Sequence, residues 1–592
     1  MIMKSKLIIG AGAGALALAG LGFGVAERAA DDRVAFLNPI LVAQSLCGKN
    51  ADAARERRAY FLSIGRALAA ETPAEGADAP AQIGAIGYAI TTASPLAQAH
   101  FNAGLAHMWN FNHGAAVASF RAAQSADPDC AMCWWGESFA HGPNINAPMA
   151  EEAVAPAWEA LQKAKAAANA SEKEKALIAA LAARYAPEPV EDRSKLDEAF
   201  ADAMDEVARS YPDDDFILAL AAEANMDTQP WDYWMSDGRT PKGRSARTMS
   251  LLETALARNP DYQPAIHLYI HMTEATYNPH RAASYADRLA ELSPGLGHLI
   301  HMPSHTYYRI GRFLDSLETN VDAVAADEAF LARGDASPLY QFGYYVHNVH
   351  FVMASAMMAG DAKTALDMAK KLDAKLPAEM AAMVPFAQPI KAAPYYAYAQ
   401  FAVPEDVLAL PDPGDELPFL QANWRYARGE ALAKLGRTDE ARAEAEAIAR
   451  IVAEEDLSGL QENLIPAVDI LNIARLTVIA RAAAADGDLA TAIEAMDEVV
   501  ALQDGLNYTE PPYWYYPTKQ TLAALVLRSG EAERAEQLFL EALVESPNNG
   551  WVLYGLSEAY KAQGDRNGAK YAAGLFRQAW AGPRGGVSIE RL

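Results

Sequence analysis

The chain has 592 residues and a formal net charge of −26, from 76 acidic and 50 basic residues. This excess of negative charge disfavours nucleic acid and anionic lipid surfaces as main partners, and it favours cations and cationic ligands. Only three cysteines occur, so the chain is not a disulfide-stapled scaffold. It is too long for one ordinary core, and its long stretches of Ala, Leu, Glu and Arg predict helices.

Residues 1–26 are typical of an export signal. Lys4 and Lys6 precede an apolar run over residues 7–26 that ends in small residues. The run is either cleaved or retained as an anchor, since about twenty residues can span a bilayer. We therefore expect an exported protein, periplasmic or facing the periplasm, that contacts a membrane only through this segment if it is uncleaved. Residues 27–95 form an N-terminal extension that carries little chemistry.

A repeated pattern starts after this extension. In residues 97–130, Gly104 and Ala116 stand where two helices must touch, Phe120 fills the space between them, and Pro128 ends the second helix. Similar units begin near residues 263, 297, 346, 421 or 422, 473, 516 and 550. The pattern resembles the tetratricopeptide repeat family, whose period is about 34 residues. The resemblance implies an all-α fold, a right-handed α-solenoid of helix-turn-helix repeats with a concave groove.

Four longer phrases carry a second resemblance. DPDCAMCWWG, HLYIHMTEAT, GHLIHMPSHTYYRIGRF and EPPYWYYPTKQ are similar to segments of an uncharacterised group of exported bacterial tetratricopeptide repeat proteins. The resemblance implies a shared architecture and supplies no established activity. The predicted organisation is a signal or anchor at 1–26, the extension at 27–95, a repeat region with the groove at 96–405, and C-terminal repeats at 406–592.

Two segments interrupt the repeats, and a third precedes a C-terminal repeat. Residues 225–244 form a Trp-rich loop with Gly and Pro, which is either a cover over the groove or a packed surface loop. Residues 377–419 are Pro-rich and are a hinge, an irregular repeat or a packed loop. Residues 505–518 collect aromatic residues and prolines, either as a stacking wall for an organic ligand or as a plug between repeats.

Cys130 and Cys133 form a CxxC motif at a junction between repeats. No histidine follows to attach a haem, and no second CxxC completes a zinc site. The motif is either a packed or disulfide-linked structural pair, or a pair for redox or metal chemistry.

Seven of the 12 histidines fall on one helical stripe. His267 and His271 recur 34 residues later as His301 and His305, and places two, five and nine of each unit lie within about 80° of one another on a helix. In tetratricopeptide repeat proteins that stripe lines the concave groove. We name this set the ladder, and it comprises His267, His271, His298, His301, His305, His347 and His350.

Imidazoles on neighbouring helices can meet on one ion, because helix axes pack about 8–10 Å apart and an ion lies about 2.0–2.1 Å from each nitrogen. Seven histidines exceed one tetrahedral site, which leaves two ions or one ion with spare histidines. Copper is the favoured transition metal because of its affinity for imidazole and the expected export, with zinc or iron second. Glu274 at place twelve is the candidate catalytic residue, and its role as base, ligand or orienting carboxylate is open.

The predicted function is therefore an exported repeat protein that binds one or two transition metal ions, with a copper-dependent oxidation as the natural reaction if the site is catalytic. The alternatives are a protein-interaction scaffold without metal, a metal carrier and a zinc hydrolase. The expected partner is a small-molecule or peptide ligand in the groove, or a protein. The other five histidines are expected to pack between helices, cap them or face solvent, and these are His100, His107, His113, His141 and His280.

Overall fold

The structure is a computed structural model that describes residues 83–84, 86–334, 336–583 and 585–592. The predicted signal or anchor, and most of the predicted extension, lie outside these residues. The described part is helical, and its only extended pairings are two isolated bridges, Asn144 with Ala147 and Trp234 with Pro241. None of its helices is long and apolar enough to cross a bilayer. The all-α prediction is confirmed.

Consecutive helices pack against one another along the chain as stacked helix pairs. Within the described residues, the first nine are α1 (Pro95–Trp109), α2 (His113–Ala126), α3 (Ala131–Ala140), α4 (Val154–Ala166), α5 (Glu172–Leu181), α6 (Ser194–Ser210), α7 (Asp215–Asp227), α8 (Ser245–Arg258) and α9 (Gln263–Glu274). The next nine are α10 (Ala283–Leu292), α11 (Gly297–His301), α12 (Pro303–Arg309), α13 (Phe313–Leu331), α14 (Tyr345–Ala359), α15 (Ala362–Lys375), α16 (Ala378–Met383), α17 (Ala387–Phe401) and α18 (Pro404–Leu408). The last nine are α19 (Pro418–Lys434), α20 (Thr438–Glu454), α21 (Ser458–Glu462), α22 (Ala467–Ala485), α23 (Leu489–Asp504), α24 (Thr518–Arg528), α25 (Ala532–Glu545), α26 (Gly550–Gln563) and α27 (Arg566–Ala579).

Short irregular turns join some of these helices. They are the 3₁₀ turns Glu151–Ala153 and Pro279–Ala282, with a further 3₁₀ turn at Ile589–Arg591 after α27, and the π-helical turn Tyr340–Tyr344. The last of these leads directly into α14, which carries part of the ladder.

The small and aromatic places of the repeat pack as predicted. A Cβ atom on Gly104 of α1 would lie 2.5 Å from the Phe120 ring of α2, so only glycine lets these helices approach so closely. A Cβ on Gly555 of α26 would lie 2.3 Å from the Phe539 ring of α25. The same packing rule therefore holds near both ends of the described chain.

Local capping sets many helix ends. The Ser94 side chain accepts the Ala97 N–H at the start of α1, and the Asn549 side chain accepts the Trp551 N–H at the start of α26. Gly360 ends α14 with φ +74°, a left-handed conformation that favours glycine.

The buried apolar residues form two cores that meet at the ladder. One core contains residues between Ile86 and Tyr344, and the other contains residues between Tyr308 and Leu592. The two sets overlap in sequence between Tyr308 and Tyr344, from the end of α12 to the start of α14. The predicted boundary at 405/406 stays a prediction.

The C-terminal repeats turn back onto the ladder helices. Trp551 Nε1 of α26 donates to the Met357 carbonyl of α14 at 3.0 Å, and Asn548 Nδ2 donates to the Gly311 carbonyl at 2.9 Å. A Cβ on Gly311, which has φ +77°, would lie 1.9 Å from the Pro547 carbonyl oxygen. These contacts join segments about 200 residues apart.

The structure describes two segments for which the sequence left alternatives open. Residues 377–419 contain α16 to α18, and α17 packs between α15 and α19 as an irregular repeat. Cys130 and Cys133 are joined by a disulfide at the start of α3, where both are buried. This agrees with a structural role for the motif.

Candidate metal centre

The ladder histidines lie on four helices that pack around one buried volume. Residues four apart share a helix face, which brings His267 next to His271 on α9. The segment that carries His298, His301 and His305 is one helical path interrupted at Pro303, which separates α11 from α12. Helix α14 supplies the last two histidines of the ladder.

Six of the seven ladder histidines gather into two groups of three. The first triad is His267, His271 and His298, and the second triad is His301, His305 and His347. In each triad, one nitrogen of every imidazole lies within 4.8 Å of the other two. The triads are adjacent, since the ring centroids of His298 and His301 are 5.9 Å apart.

The first triad has the spacing of a set of metal ligands. His267 Nε2 lies 3.1 Å from His271 Nε2 and 3.1 Å from His298 Nε2. A tetrahedral ion with bonds of about 2.0–2.1 Å holds its nitrogen ligands about 3.3–3.4 Å apart. The observed separations fall within a few tenths of an ångström of that value, so a cation would need only small adjustments of the rings.

The imidazoles of the second triad also lie close to one another. His301 Nε2 lies 2.7 Å from His305 Nε2, and the His347 ring centroid lies 4.8 Å from that of His301. His301 Nδ1 lies 2.6 Å from Asn320 Oδ1 of α13. An N–H at Nδ1 that donates to this amide oxygen leaves the Nε2 lone pair free to face the triad.

Glu274 connects the two triads. Its Oε1 lies 3.1 Å from His271 Nδ1, and its Oε2 lies 2.6 Å from His305 Nδ1. The side chain is fully buried at the end of α9. A carboxylate at Nδ1 fixes the tautomer and direction of an imidazole. One side chain therefore orients a histidine in each triad.

Burial determines the charge of most of these imidazoles. Burial lowers the pKa of four imidazoles well below the ordinary value, and the neighbouring histidines lower it further. The four are His267, His298, His301 and His347. Neutral imidazole is the form that binds metals. Burial opposes the charge of Glu274 as well, but its contacts with His305 and His271 lower the pKa of its carboxyl to about 2. The charge of Glu274 in turn raises the pKa of His305 against the effect of burial.

Three aromatic rings cover the first triad. The Phe111 centroid lies 4.6 Å from that of His267, and the Tyr344 centroid lies 5.0 Å from that of His298. Trp231, from the predicted cover loop, points its ring edge at His271 with 5.2 Å between centroids. Phe111 and Trp231 have φ values of +54° and +63°. Bulky residues rarely adopt this conformation, and such strain concentrates at functional sites.

A single aromatic ring packs against the second triad, and a pocket opens beside it. The Phe351 centroid lies 4.9–5.4 Å from those of all three histidines. A narrow pocket of about 30 Å³ reaches His347, the only partly exposed member of either triad, and segment 505–518 forms one wall. The predicted groove is therefore largely filled by the chain itself.

The structure does not bring His350 to either triad. Its Nε2 lies 2.7 Å from Tyr515 Oη, within the aromatic segment 505–518. His107 packs against Phe330, with 5.9 Å between centroids, as predicted for a packing histidine. His113 begins α2 and is partly buried, with its Nε2 3.2 Å from Asn144 Nδ2.

Sequence reasoning missed several side chains around the triads. Asn320 lies on α13, where one asparagine among many polar residues gives no signal. Phe111 is far from the ladder in sequence, and Tyr344 is close to His347 but contacts His298 on another helix. Glu510 lies in an aromatic segment that the sequence did single out as a wall for a ligand.

Comparisons with known proteins complete the description. No protein-family model matches the chain, and no curated protein matches it. Among solved structures, the human IFIT1 dimer with m7Gppp-AAAA is similar at 12% identity, over 83% of this chain and 91% of that one, with a TM-score of 0.28. The Naa15/Naa10 structure bound to HypK-THB matches at 12% identity over 82% and 70%, with a TM-score of 0.20. The P58(IPK) TPR domain matches at 14% identity over 80% and 99%, with a TM-score of 0.20. Scores this low carry no conclusion about function.

Proposed function

We propose that the two triads bind two transition metal ions, one ion each, with Glu274 orienting a ligand of both. The observation that supports this most strongly is that one nitrogen of every imidazole in each triad lies within 4.8 Å of the other two, while Glu274 and Asn320 contact Nδ1 atoms. The Nε2–Nε2 separations of 2.7–3.1 Å are also hydrogen-bond distances between imidazoles, so the support for metal comes from the grouping of three imidazoles in each triad, all but one of them buried. Neutral, buried and preoriented imidazoles are the donors that a metal ion requires.

Copper is the metal we favour, with zinc or iron as alternatives. Six imidazole ligands without a thiolate suit all three, and copper binds nitrogen donors most tightly among the divalent ions of the first transition row. The proposed export of the chain would expose it to extracytoplasmic copper. Three protein ligands per ion leave a coordination position for substrate or water, as in catalytic sites. A copper-dependent oxidation is therefore the proposed reaction, and hydrolysis is the corresponding proposal for zinc.

Glu274 acts as a positioning residue in this proposal. Both of its oxygens face histidines, and its carboxyl is charged and fully buried. Each oxygen therefore faces an imidazole nitrogen of a different triad. The sequence-based suggestion of a catalytic base at this position is therefore less favoured than an orienting role.

A protein-interaction scaffold is the second candidate. The stacked helix pairs of the described chain are an architecture that serves many unrelated partners, and the comparisons give no support to metal binding or to oxidoreductase activity. The buried ladder favours the metal proposal, because a scaffold would need these imidazoles at its surface. A metal carrier would bind ions at the same two triads as a metalloenzyme, but it would catalyse no reaction.

Elemental analysis of protein purified from its native compartment tests the proposal. We expect about two ions per chain, one for each triad of the kind that binds a single ion, and loss of both in a His271→Ala/His305→Ala double variant. A His100→Ala/His280→Ala double variant is the control, because neither residue belongs to the ladder. Substoichiometric metal that is unchanged in the His271→Ala/His305→Ala variant would refute metal binding and leave the scaffold.

A further inference from the structure

An open cleft of about 510 Å³ lies beside the turns that join α6 to α7 and α8 to α9. The two turns contain the same dipeptide, Pro212-Asp213 in one and Pro260-Asp261 in the other, and stacked repeats bring such turns side by side. No ladder histidine lines the cleft. Its volume falls within the range of about 300–1,000 Å³ that is typical of small-molecule sites.

Aromatic side chains form much of the lining of this cleft. They are Tyr88, Tyr211, Phe216 and Tyr262. The Tyr88 ring stacks on that of Phe216 with 4.2 Å between centroids, and its hydroxyl donates to Asp214 Oδ2 at 3.1 Å. These two contacts fix the position of the Tyr88 ring.

The cleft also carries an excess of negative charge. Three consecutive carboxylates line it, those of Asp213, Asp214 and Asp215, together with the single cation of Lys173. Behind the lining, Arg258 pairs with Asp215 through Nε at 2.9 Å and with Asp213 at 3.3 Å. Two cations therefore face three carboxylates, and the excess has the same sign as the net charge of the chain.

Lys173 shows that this lining stabilises an ammonium group. Its Nζ lies 2.7 Å from Asp214 Oδ2, 5.9 Å from the Tyr88 centroid and 5.5 Å from the Tyr211 centroid. An ammonium ion within about 6 Å of an aromatic face is attracted by the ring, and a nearby carboxylate adds to the attraction. The lining continues beyond this group to Tyr262, so the cleft offers further aromatic surface to a second cation.

We propose that this cleft binds a small organic ammonium ion, whose charge is stabilised by the tyrosine rings and by the carboxylate in excess. An anion would be repelled by the three aspartates, and a neutral molecule would gain nothing from the charge of the cleft. Binding here does not depend on the metal proposed for the triads.

NMR titrations that observe the ligand, carried out with the full chain, test this inference. The probes are choline, 3,3-dimethyl-1-butanol and 3,3-dimethylbutanoate, which resemble one another in shape and are positive, neutral and negative. We expect choline to bind about ten-fold more tightly than the alcohol, because cation–π attraction and the excess carboxylate act only on the cation. Choline that binds no more tightly than the alcohol, or less tightly than the butanoate, would overturn the proposal.

Variants at the aromatic wall assign the binding to the cleft. Tyr211→Leu removes one ring face and should weaken choline several-fold. Lys173→Met should strengthen choline several-fold, because it removes the resident cation and leaves Asp214 Oδ2 with only the Tyr88 hydrogen bond. Lys363→Met is the control, since Lys363 of α15 also pairs with an aspartate, at 2.6 Å, and does not line the cleft. Weaker choline binding in Lys173→Met would refute the inference.

A matched pair of aspartates tests the contribution of charge. Asp213→Asn should weaken choline and leave the alcohol unchanged, whereas Asp439→Asn should change neither. Both side chains are fully exposed or nearly so and both lie near an arginine, at 3.3 Å and 3.5 Å, but only Asp213 lines the cleft. Equal effects of the two substitutions on choline would mean that the net charge of the chain attracts it and would overturn the assignment to the cleft.

Discussion

The two triads contain the same ligands but differ in their surroundings. The first triad lies against rings of the N-terminal core and the cover loop, including Phe111, Tyr344 and Trp231. The second lies against Phe351 of the C-terminal core and borders a pocket. The two triads therefore differ in their access from solvent and not in the type of ligand. In the proposed metal function, the ion of the first triad would be shielded by these rings, and the ion of the second would border the pocket.

Removing one ligand from each triad should give the largest effect. We expect His298→Ala to lose the ion of the first triad and His347→Ala to lose that of the second, because two imidazoles hold an ion far more weakly than three. Elemental analysis should then find about half the metal of the parent protein in either variant. Loss of both ions from either variant would mean that the triads form one indivisible site.

Substitutions of Glu274 should separate its two contacts. Glu274→Ala removes the orienting carboxylate from both triads, and we expect metal affinity to fall about 10–100-fold at each. Glu274→Gln offers a single acceptor oxygen and should weaken one triad more than the other.

Asn320→Ala is the matched comparison for Glu274, because Asn320 contacts only the second triad. Competition with a chelator of known affinity measures all three variants. Equal losses at both triads in Asn320→Ala would contradict the assignment.

Opening the cover loop should have the smallest effect. Trp231 is 44% exposed and its Nε1 donates to Asn146 Oδ1 at 3.1 Å, so Trp231→Ala should change the stability of the fold little. We expect faster removal of the first ion by a chelator, with an unchanged rate for the second. Stopped-flow measurements check this, and Val544→Ala, at an apolar residue of α25 that is 67% exposed, is the control.

Much of the fold and most of the candidate site follow from periodicity. The repeat frame placed small and aromatic residues correctly at Gly104 and Phe120, and six of the seven histidines on its inner stripe do meet in triads. A helical stripe depends only on the spacing of residues along one helix, and the sequence therefore predicts it. Whether the triads hold metal stays a prediction.

The remaining features depend on contacts between distant segments. His350 lies on the same stripe as its neighbours, but Tyr515 pairs with it from 165 residues away. The groove is filled because the cover loop and segment 505–518 both fold onto it. A local sequence pattern does not predict where a loop will dock. The contacts of Glu274 and Asn320 likewise depend on how α9, α12 and α13 pack together, and the sequence does not predict that packing.

The return of the C-terminal repeats onto α14 changes how this solenoid should unfold. A linear repeat array can fray from its ends, since each repeat contacts only its neighbours. Here α26 is tied to α14 through Trp551 and Met357, so the last repeats cannot separate without exposing the helix that carries His347. An ion bound at the second triad would stabilise that helix and, by linkage, the end of the chain. We therefore expect the repeats to unfold as one cooperative unit and not one by one from the end of the chain.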